Sequence, residues 1–217
     1  MDWNEKSAWA AAEHATRSTR LPVAGEREDF RLAGIAGASW AEGLAALMLG
    51  ERSEAQGLLR RAADEYRASW AAAPAASWGR PIAAMRCRLL AGDDAGLELD
   101  ATATLAAGSG AAAGPIAGYA TALALLALRR DGEALRVARA LQGSDGFVPP
   151  VADALAALAA GEGVAYATAA AGVLSSFEER EAFLEDVPVA DTVLVLDALA
   201  AARGIAGTRV VSELLPC

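Results

Sequence analysis

Four prolines, each followed by an aliphatic residue and an alanine, recur along this chain at nearly constant spacing. They occur in Pro81-Ile82-Ala83, Pro115-Ile116-Ala117, Pro150-Val151-Ala152 and Pro188-Val189-Ala190. The prolines are 34, 35 and 38 residues apart. Proline suits the first turn of a helix, because the N–H that it lacks has no helical partner there. A period of about 34 residues is the length of one helix–turn–helix unit, so the spacing predicts several such units in succession.

Glycines mark the expected turn inside each unit. Gly92 and Gly161 both lie eleven residues after a proline, and acidic residues that suit the start of a second helix follow each of them. An earlier unit has Ser39 in place of the proline, as a predicted N-cap, and Gly50 eleven residues later. Residues 26–37 are also expected to be helical, either as a separate helix or as one continuous with this unit's first helix. Each unit is thus predicted to be a helix, a tight turn and a second helix.

The composition favours helices over strands. Hydrophobic residues make up 54% of the 217 residues and aromatic residues only 6%, so alanine supplies much of the apolar surface. No long stretch alternates between polar and apolar residues as a half-buried strand does. We therefore expect an all-α fold of about ten helices, arranged as a right-handed stack of antiparallel hairpins. The expected single domain has N-terminal helices in residues 1–37, hairpin repeats in residues 39–204 and a tail in residues 205–217.

Two of the predicted turns carry a family resemblance. Gly50 ends one predicted helix, and the small residue Ala55 lies five positions later. In the unit of the second proline, Arg129 stands in the place of the glycine and Ala134 in that of the small residue. This pattern resembles the tetratricopeptide repeat (TPR), over roughly residues 39–204. The resemblance implies an α-solenoid scaffold, without catalytic activity, that holds a peptide or protein partner in a concave groove.

The net charge of −9 bears on the kind of partner. Surfaces that bind phosphate backbones are basic, so we do not expect a nucleic-acid ligand. An acidic protein attracts a basic partner through electrostatic steering, so charge favours a basic protein or peptide. A sharper alternative is an immunity or antitoxin protein that captures a basic toxin. Lys6 is the only lysine, and this arginine bias is typical of a GC-rich bacterial genome.

Cysteine usage and hydropathy predict a cytoplasmic protein without a membrane span. Cys87 and Cys217 are expected to be free thiols, which suit a reducing compartment. The first residues lack the charged and then apolar layout of a signal peptide. Residues 101–128 carry no charge and are long enough to cross a bilayer, but glycines and Pro115 interrupt them.

The sequence offers no set of residues for catalysis or for a cofactor. His14 is the only histidine, so neither a Ser-His-Asp triad nor a histidine-rich metal site is expected. No glycine-rich phosphate-binding signature is present. Asp93 and Asp94 are predicted to cap a helix start. We therefore expect no enzyme activity, no cofactor and no metal.

The densest cluster of charges lies in residues 175–186. If a helix continues through them, Glu181 falls between Leu174 and Phe177 on an apolar stripe. A carboxylate there forms a salt bridge at the edge of the stripe or an acidic site at the mouth of a groove, unless the helix ends first. Asp197, among apolar residues, is expected to be partly buried and paired with an arginine. The candidate partner-binding residues are Glu178, Glu181, Glu185, Asp186 and Asp197.

A second hypothesis gives these carboxylates a chemical role. In it, the chain is a small-molecule-binding or enzymatic helical domain, and acidic side chains that include Glu181 and Asp197 meet in an internal pocket. Convergence of the carboxylates on one closed pocket favours that hypothesis, whereas scatter along an open groove favours partner binding.

Overall fold

Ten α-helices and two short 3-10 helices make up the regular structure of the described part of this chain. The computed structural model describes residues 2–208 and 210–216, and within them no strand occurs, so the fold is all-α as predicted. The helices are α1 Trp3–Thr19, α2 Glu28–Met48, α3 Arg52–Ala72, α4 Gly79–Ala91, α5 Asp94–Ala106, α6 Pro115–Ala127, α7 Asp131–Gln142, α8 Pro149–Ala160, α9 Gly163–Glu178 and α10 Asp191–Ala201. The 3-10 helices are Ser109–Ala111 and Leu184–Asp186.

Five helix ends share one type of turn. After α2, Gly50 has a left-handed backbone (φ 79°), and the N–H of Glu51 donates to the carbonyl of Ala46 at 2.9 Å. This bond satisfies a carbonyl that the helix end would leave without a partner. Arg129 adopts the same conformation after α6 (φ 59°), so it takes the structural place of the glycine. The other turns of this type use Gly92, Gly161 and Gly204.

Two predicted helix starts are wrong. Ser39 is buried inside α2, so the alternative of one continuous helix is the one observed, and the Ser39 hydroxyl donates to Glu65 at 2.6 Å instead of capping a helix. Pro188 lies in a tight turn before α10, which begins at Asp191, and the Val189 N–H donates to the Val187 carbonyl across it at 2.9 Å. The φ that proline imposes suits such a turn as well as a helix start. Pro81, Pro115 and Pro150 lie in the first turns of α4, α6 and α8 as predicted.

Most helices pack mainly against their neighbours in sequence, but α10 does not follow this order alone. Contacts run from α1 on α2 through to α8 on α9, and α4, α6 and α8 also touch in succession. The last helix, α10, packs not only against its neighbour α9 but also against the earlier helices α4 and α8. Its Val193, Leu196 and Leu199 belong to the same buried cluster as Met85 and Leu155. The end of the chain therefore folds back over earlier helices.

The uncharged residues 101–128 do not form one long helix. They are divided between α5 and α6, and Gly108 and Gly114 at the break both have positive φ angles. No helix in the described part of the chain has the length and apolar character to cross a membrane. Of the two thiols, Cys87 is free and buried, as part of the core, and Cys217 lies outside the described residues.

Candidate functional site

An open cleft of about 670 Å³ lies where α2, α4 and α6 begin, and we call it the helix-start cleft. The three helix starts are far apart in sequence, and the packing of α3 on α2 and α4, together with that of α6 on α4, brings them to one place. The lining residues used below are Arg27, Asp29, Phe30, Trp78, Arg80 and Ile116.

Two apolar side chains in this cleft are exposed. Phe30, in the first turn of α2, is 57% exposed, and Ile116, in the first turn of α6, is 52% exposed. Trp78, between them in sequence, is buried. Single exposed apolar residues are common on protein surfaces, but an aromatic ring beside arginines is typical of the centre of a protein interface.

Both arginines of the cleft are held beside the Phe30 ring. The guanidinium carbons of Arg27 and Arg80 lie 4.5 and 5.3 Å from the ring centroid, within the range of cation–π attraction. Arg27 donates from Nε and Nη2 to the buried carboxylate of Asp29, at 3.0 and 2.9 Å. Arg80 donates from Nε to the hydroxyl of Ser69 at 2.9 Å, and its Nη2 lies 3.6 Å from Asp29. Asp29 and Ser69 therefore fix both cations in the cleft.

The electrostatic character of the cleft differs from that of the whole chain. Its charged lining consists of two arginines and one aspartate, whereas the chain carries a net charge of −9. The first turns of three helices add partial positive charge from their N–H groups. No side chain caps these turns at the N-cap positions, which are Arg27, Trp78 and Gly114. The cleft is thus a locally cationic and apolar surface.

A second group of charges, which we call the Arg88 cluster, is closed. Arg88 of α4 donates to Asp64, Asp93 and Asp100, at 2.5, 2.7 and 3.2 Å. Arg67 of α3 also contacts Asp100, at 3.1 Å. Burial alone would lower the pKa of Arg88, but its hydrogen bonds to these carboxylates raise the pKa above the usual value. Each nitrogen of Arg88 donates to a carboxylate and the side chain is 7% exposed, so Arg88 joins α3, α4 and α5 and offers little guanidinium surface to a ligand.

The helix α9 ends before most of the predicted acidic residues. Glu178 is its last residue, and the exposed carboxylate accepts a hydrogen bond from Ser212 at 2.8 Å. Glu181 follows the helix in an exposed turn, so it does not lie on an apolar stripe. The third alternative weighed for this segment, an early helix end, is therefore the one observed.

Glu185 and Asp186 lie in the segment between α9 and α10, beside α1. Glu185 accepts two hydrogen bonds from Arg17, both at 2.9 Å, and its carboxylate lies against the backbone of Gly37. Asp186 is exposed and lines a smaller cleft of about 290 Å³, together with Trp9 and other residues of α1. Both residues have a φ of 51°, which is unusual outside glycine. Glu185 thus ties this segment to α1.

Asp197 has partners other than the arginine that was expected, so that prediction is wrong. It is partly buried, and it accepts hydrogen bonds from the Tyr166 hydroxyl at 2.6 Å and from the Thr208 N–H at 2.7 Å. Burial and the adjacent carboxylate raise the pKa of Tyr166 above its usual value. Glu178, Glu185 and Asp197 share no hydrogen-bond partner, since they accept from Ser212, from Arg17, and from Tyr166 and Thr208, so the structure does not gather these carboxylates at one site.

Sequence reasoning missed the residues of the helix-start cleft. Their only local signal is the pair of arginines, Arg27 and Arg31, on either side of Phe30. Arg80 and Ile116 reach the same cleft through tertiary packing, which no spacing in the sequence reveals.

Neither a metal-binding group in the described residues nor similarity to a known protein helps to identify the site. Within residues 2–208 and 210–216, no three His, Cys, Asp or Glu side chains form a group able to hold a metal ion. His14 instead contacts Glu65 at 2.8 Å. No protein-family model, curated protein or solved structure matches this chain.

Proposed function

We propose that this chain is a cytoplasmic protein–protein interaction module without catalytic activity, a TPR-like stack of helical hairpins. The observation that carries the proposal is the helix-start cleft, in which exposed Phe30 and Ile116 accompany two ordered arginines. Aromatic residues and arginines dominate the binding energy of protein interfaces, and they do so in central, well-packed clefts. The ordered pairing of helices into hairpins supports the stacked arrangement.

The position of α10 favours this cleft over the groove that the resemblance implies. In a stack of hairpins, a concave groove would run along the first helices, which here are α4, α6 and α8. Leu196 and Leu199 of α10 are buried against this part of the chain, and Arg203, just beyond α10, donates to the carbonyl of Leu126 in α6 at 2.7 Å. Since the chain itself occupies this face, a partner docks where the helices begin.

The test uses a matched pair of substitutions. Ile116 is the second residue of α6 and Val164 the second residue of α9, and both are exposed β-branched side chains. We expect Ile116→Glu to remove a specific protein from affinity captures quantified by mass spectrometry, and Val164→Glu to retain it. Equal capture by both variants would contradict the proposed site. Turnover of a small substrate by the isolated protein, without a protein partner, would contradict the proposed function.

Capture of a basic protein is the second candidate, and a different observation favours it. Glu178, Glu179 and Glu181 are exposed around the end of α9, in a chain of net charge −9. Carboxylates at the rim of an interface raise the association rate with a basic partner. A partner that is retained by Ile116→Glu but lost on double substitution with Glu178→Lys and Glu181→Lys would support this candidate, including its immunity-protein form.

A further inference from the structure

We propose that the helix-start cleft binds an acidic peptide segment that carries a large apolar side chain. This inference rests on the proposed function, because it names the chemistry of the partner at the same site. Its basis is the combination, in one cleft, of an exposed aromatic ring with two guanidinium groups that are already held in place.

The apolar half of the cleft comes from two helices. Phe30 and Ile116 are each more than half exposed, so contact with a partner removes apolar surface of both from water. The cleft, at about 670 Å³, has room for more than one side chain of a peptide. An apolar side chain of the peptide therefore packs beside the Phe30 ring.

The cationic half is ordered before any partner arrives. Asp29 holds Nε and Nη2 of Arg27, which leaves Nη1 outside this bidentate pair. The Arg27 side chain is nevertheless 53% exposed, so a carboxylate from a partner reaches the guanidinium. Because Asp29 has already restricted the rotamers of Arg27, binding loses less conformational entropy than it would with a free arginine. Arginine is also the side chain best suited to planar contact with a carboxylate.

Charge complementarity selects the acidic segment over a basic one. A basic side chain in the cleft would face Arg27 and Arg80, and the single lining carboxylate, Asp29, is already paired with both. The first turns of α2, α4 and α6 add partial positive charge to the same surface. At physiological ionic strength, charges more than about 8 Å away are largely screened. The local lining, rather than the net charge of −9, therefore decides what binds.

The test is fluorescence anisotropy with defined synthetic peptides and the full-length protein. The probe is a short labelled peptide with a central leucine between glutamates, and its counterpart has lysines in place of the glutamates. Arg27→Gln is compared with Arg130→Gln. The two arginines match closely, since both occupy N-cap positions, both pair with a nearby carboxylate, and their side chains are 53% and 47% exposed.

We expect the glutamate peptide to bind and the lysine peptide not to bind. Arg27→Gln weakens the binding about tenfold or more, because it removes a charge-assisted contact, whereas Arg130→Gln changes it less than about twofold. Arg27→Lys, which keeps the charge, restores part of the affinity. Absence of binding by the glutamate peptide, equal binding by the lysine peptide, or equal effects of the two glutamine variants would overturn the inference. The proposed function is tested separately: if Ile116→Glu selectively loses a protein partner, that function is supported even when one of these peptide results overturns the inference.

Discussion

The Arg88 cluster and the helix-start cleft use the same kinds of side chain in opposite ways. In the Arg88 cluster, Arg88 and Asp100 are 7% and 2% exposed, and carboxylates occupy the donor nitrogens of Arg88. In the cleft, one buried carboxylate, Asp29, orients two arginines beside an exposed ring. Arginine–carboxylate pairs alone therefore do not reveal a binding site. What separates the two regions is whether guanidinium surface remains open to a partner.

The largest effect on stability is expected from Asp100→Ala. This substitution removes one carboxylate from two arginines, Arg88 and Arg67, and leaves Arg88 buried with too few acceptors. The free energy of unfolding should fall by about 3–5 kcal/mol, as for a broken buried ion pair, when measured by denaturant titration. Asp64→Ala is the control, because Asp64 is an exposed partner of the same Arg88, and its loss should cost about 1 kcal/mol or less. Equal effects of the two substitutions would show that the cluster is not sealed.

Alkaline pH tests whether the apolar core around Cys87 of α4 excludes water. Cys87 lies next to Arg88 in α4 and is fully buried, and burial raises the pKa of its thiol to about 12. Above pH 9 the thiol ionises in the unfolded chain but stays protonated in the folded one, so the free energy of unfolding falls as pH rises from 9 to 12. The expected loss from this group is of the order of 1 kcal/mol per pH unit.

Cys87→Ala isolates this contribution from the other buried groups. Tyr66 and Tyr166 also have raised pKa values, mainly from burial, and they contribute to the alkaline loss in both proteins. Denaturant titrations across this pH range should therefore give a shallower decline in the variant than in the native chain. Parallel declines would mean that water reaches the thiol in the folded state.

A smaller effect on stability is expected from the ion pair that joins the segment between α9 and α10 to α1. Glu185→Ala removes the two hydrogen bonds that Arg17 donates, and it should lower the free energy of unfolding by about 1–2 kcal/mol, because the pair is partly exposed. The control is Glu181→Ala, which alters an exposed side chain in the same segment and should stay within about 0.5 kcal/mol. If Glu181→Ala is as costly as Glu185→Ala, the segment is held by contacts other than this ion pair.

The hairpin turns were predictable because their signals are local. A glycine such as Gly92 or Gly161 predicts a helix end, because the left-handed backbone needed there is disfavoured for most other residues. Proline is a weaker signal, because its fixed φ suits both a helix start and the tight turn at Pro188. The helix boundary near Ser39 failed for a related reason, because serine caps helices but is also tolerated within them when its hydroxyl finds a partner such as Glu65.

The fold-back of α10 and the helix-start cleft depend on contacts between residues far apart in sequence. Leu196 and Leu199 are apolar at helical spacing, but that pattern does not say which helices they pack against. Phe30, Arg80 and Ile116 meet only after α2, α4 and α6 have packed. The acidic residues drew attention because they are dense in sequence, yet Glu185 became a structural ion pair and Asp197 a partner of Tyr166.

Arg27→Gln should have a modest effect on stability and the most direct effect on binding. Because Arg27 is half-exposed but Asp29 is buried and keeps only Arg80 as a partner, the free energy of unfolding should fall by about 1–2 kcal/mol, less than for Asp100→Ala. The decisive measurement records, on this one variant, both that free energy and the affinity for the glutamate-flanked leucine peptide. We expect a loss of stability of no more than about 2 kcal/mol together with about tenfold weaker binding. Near-native affinity combined with a large loss of stability would contradict this expectation, because Arg27 would then act as Arg88 does.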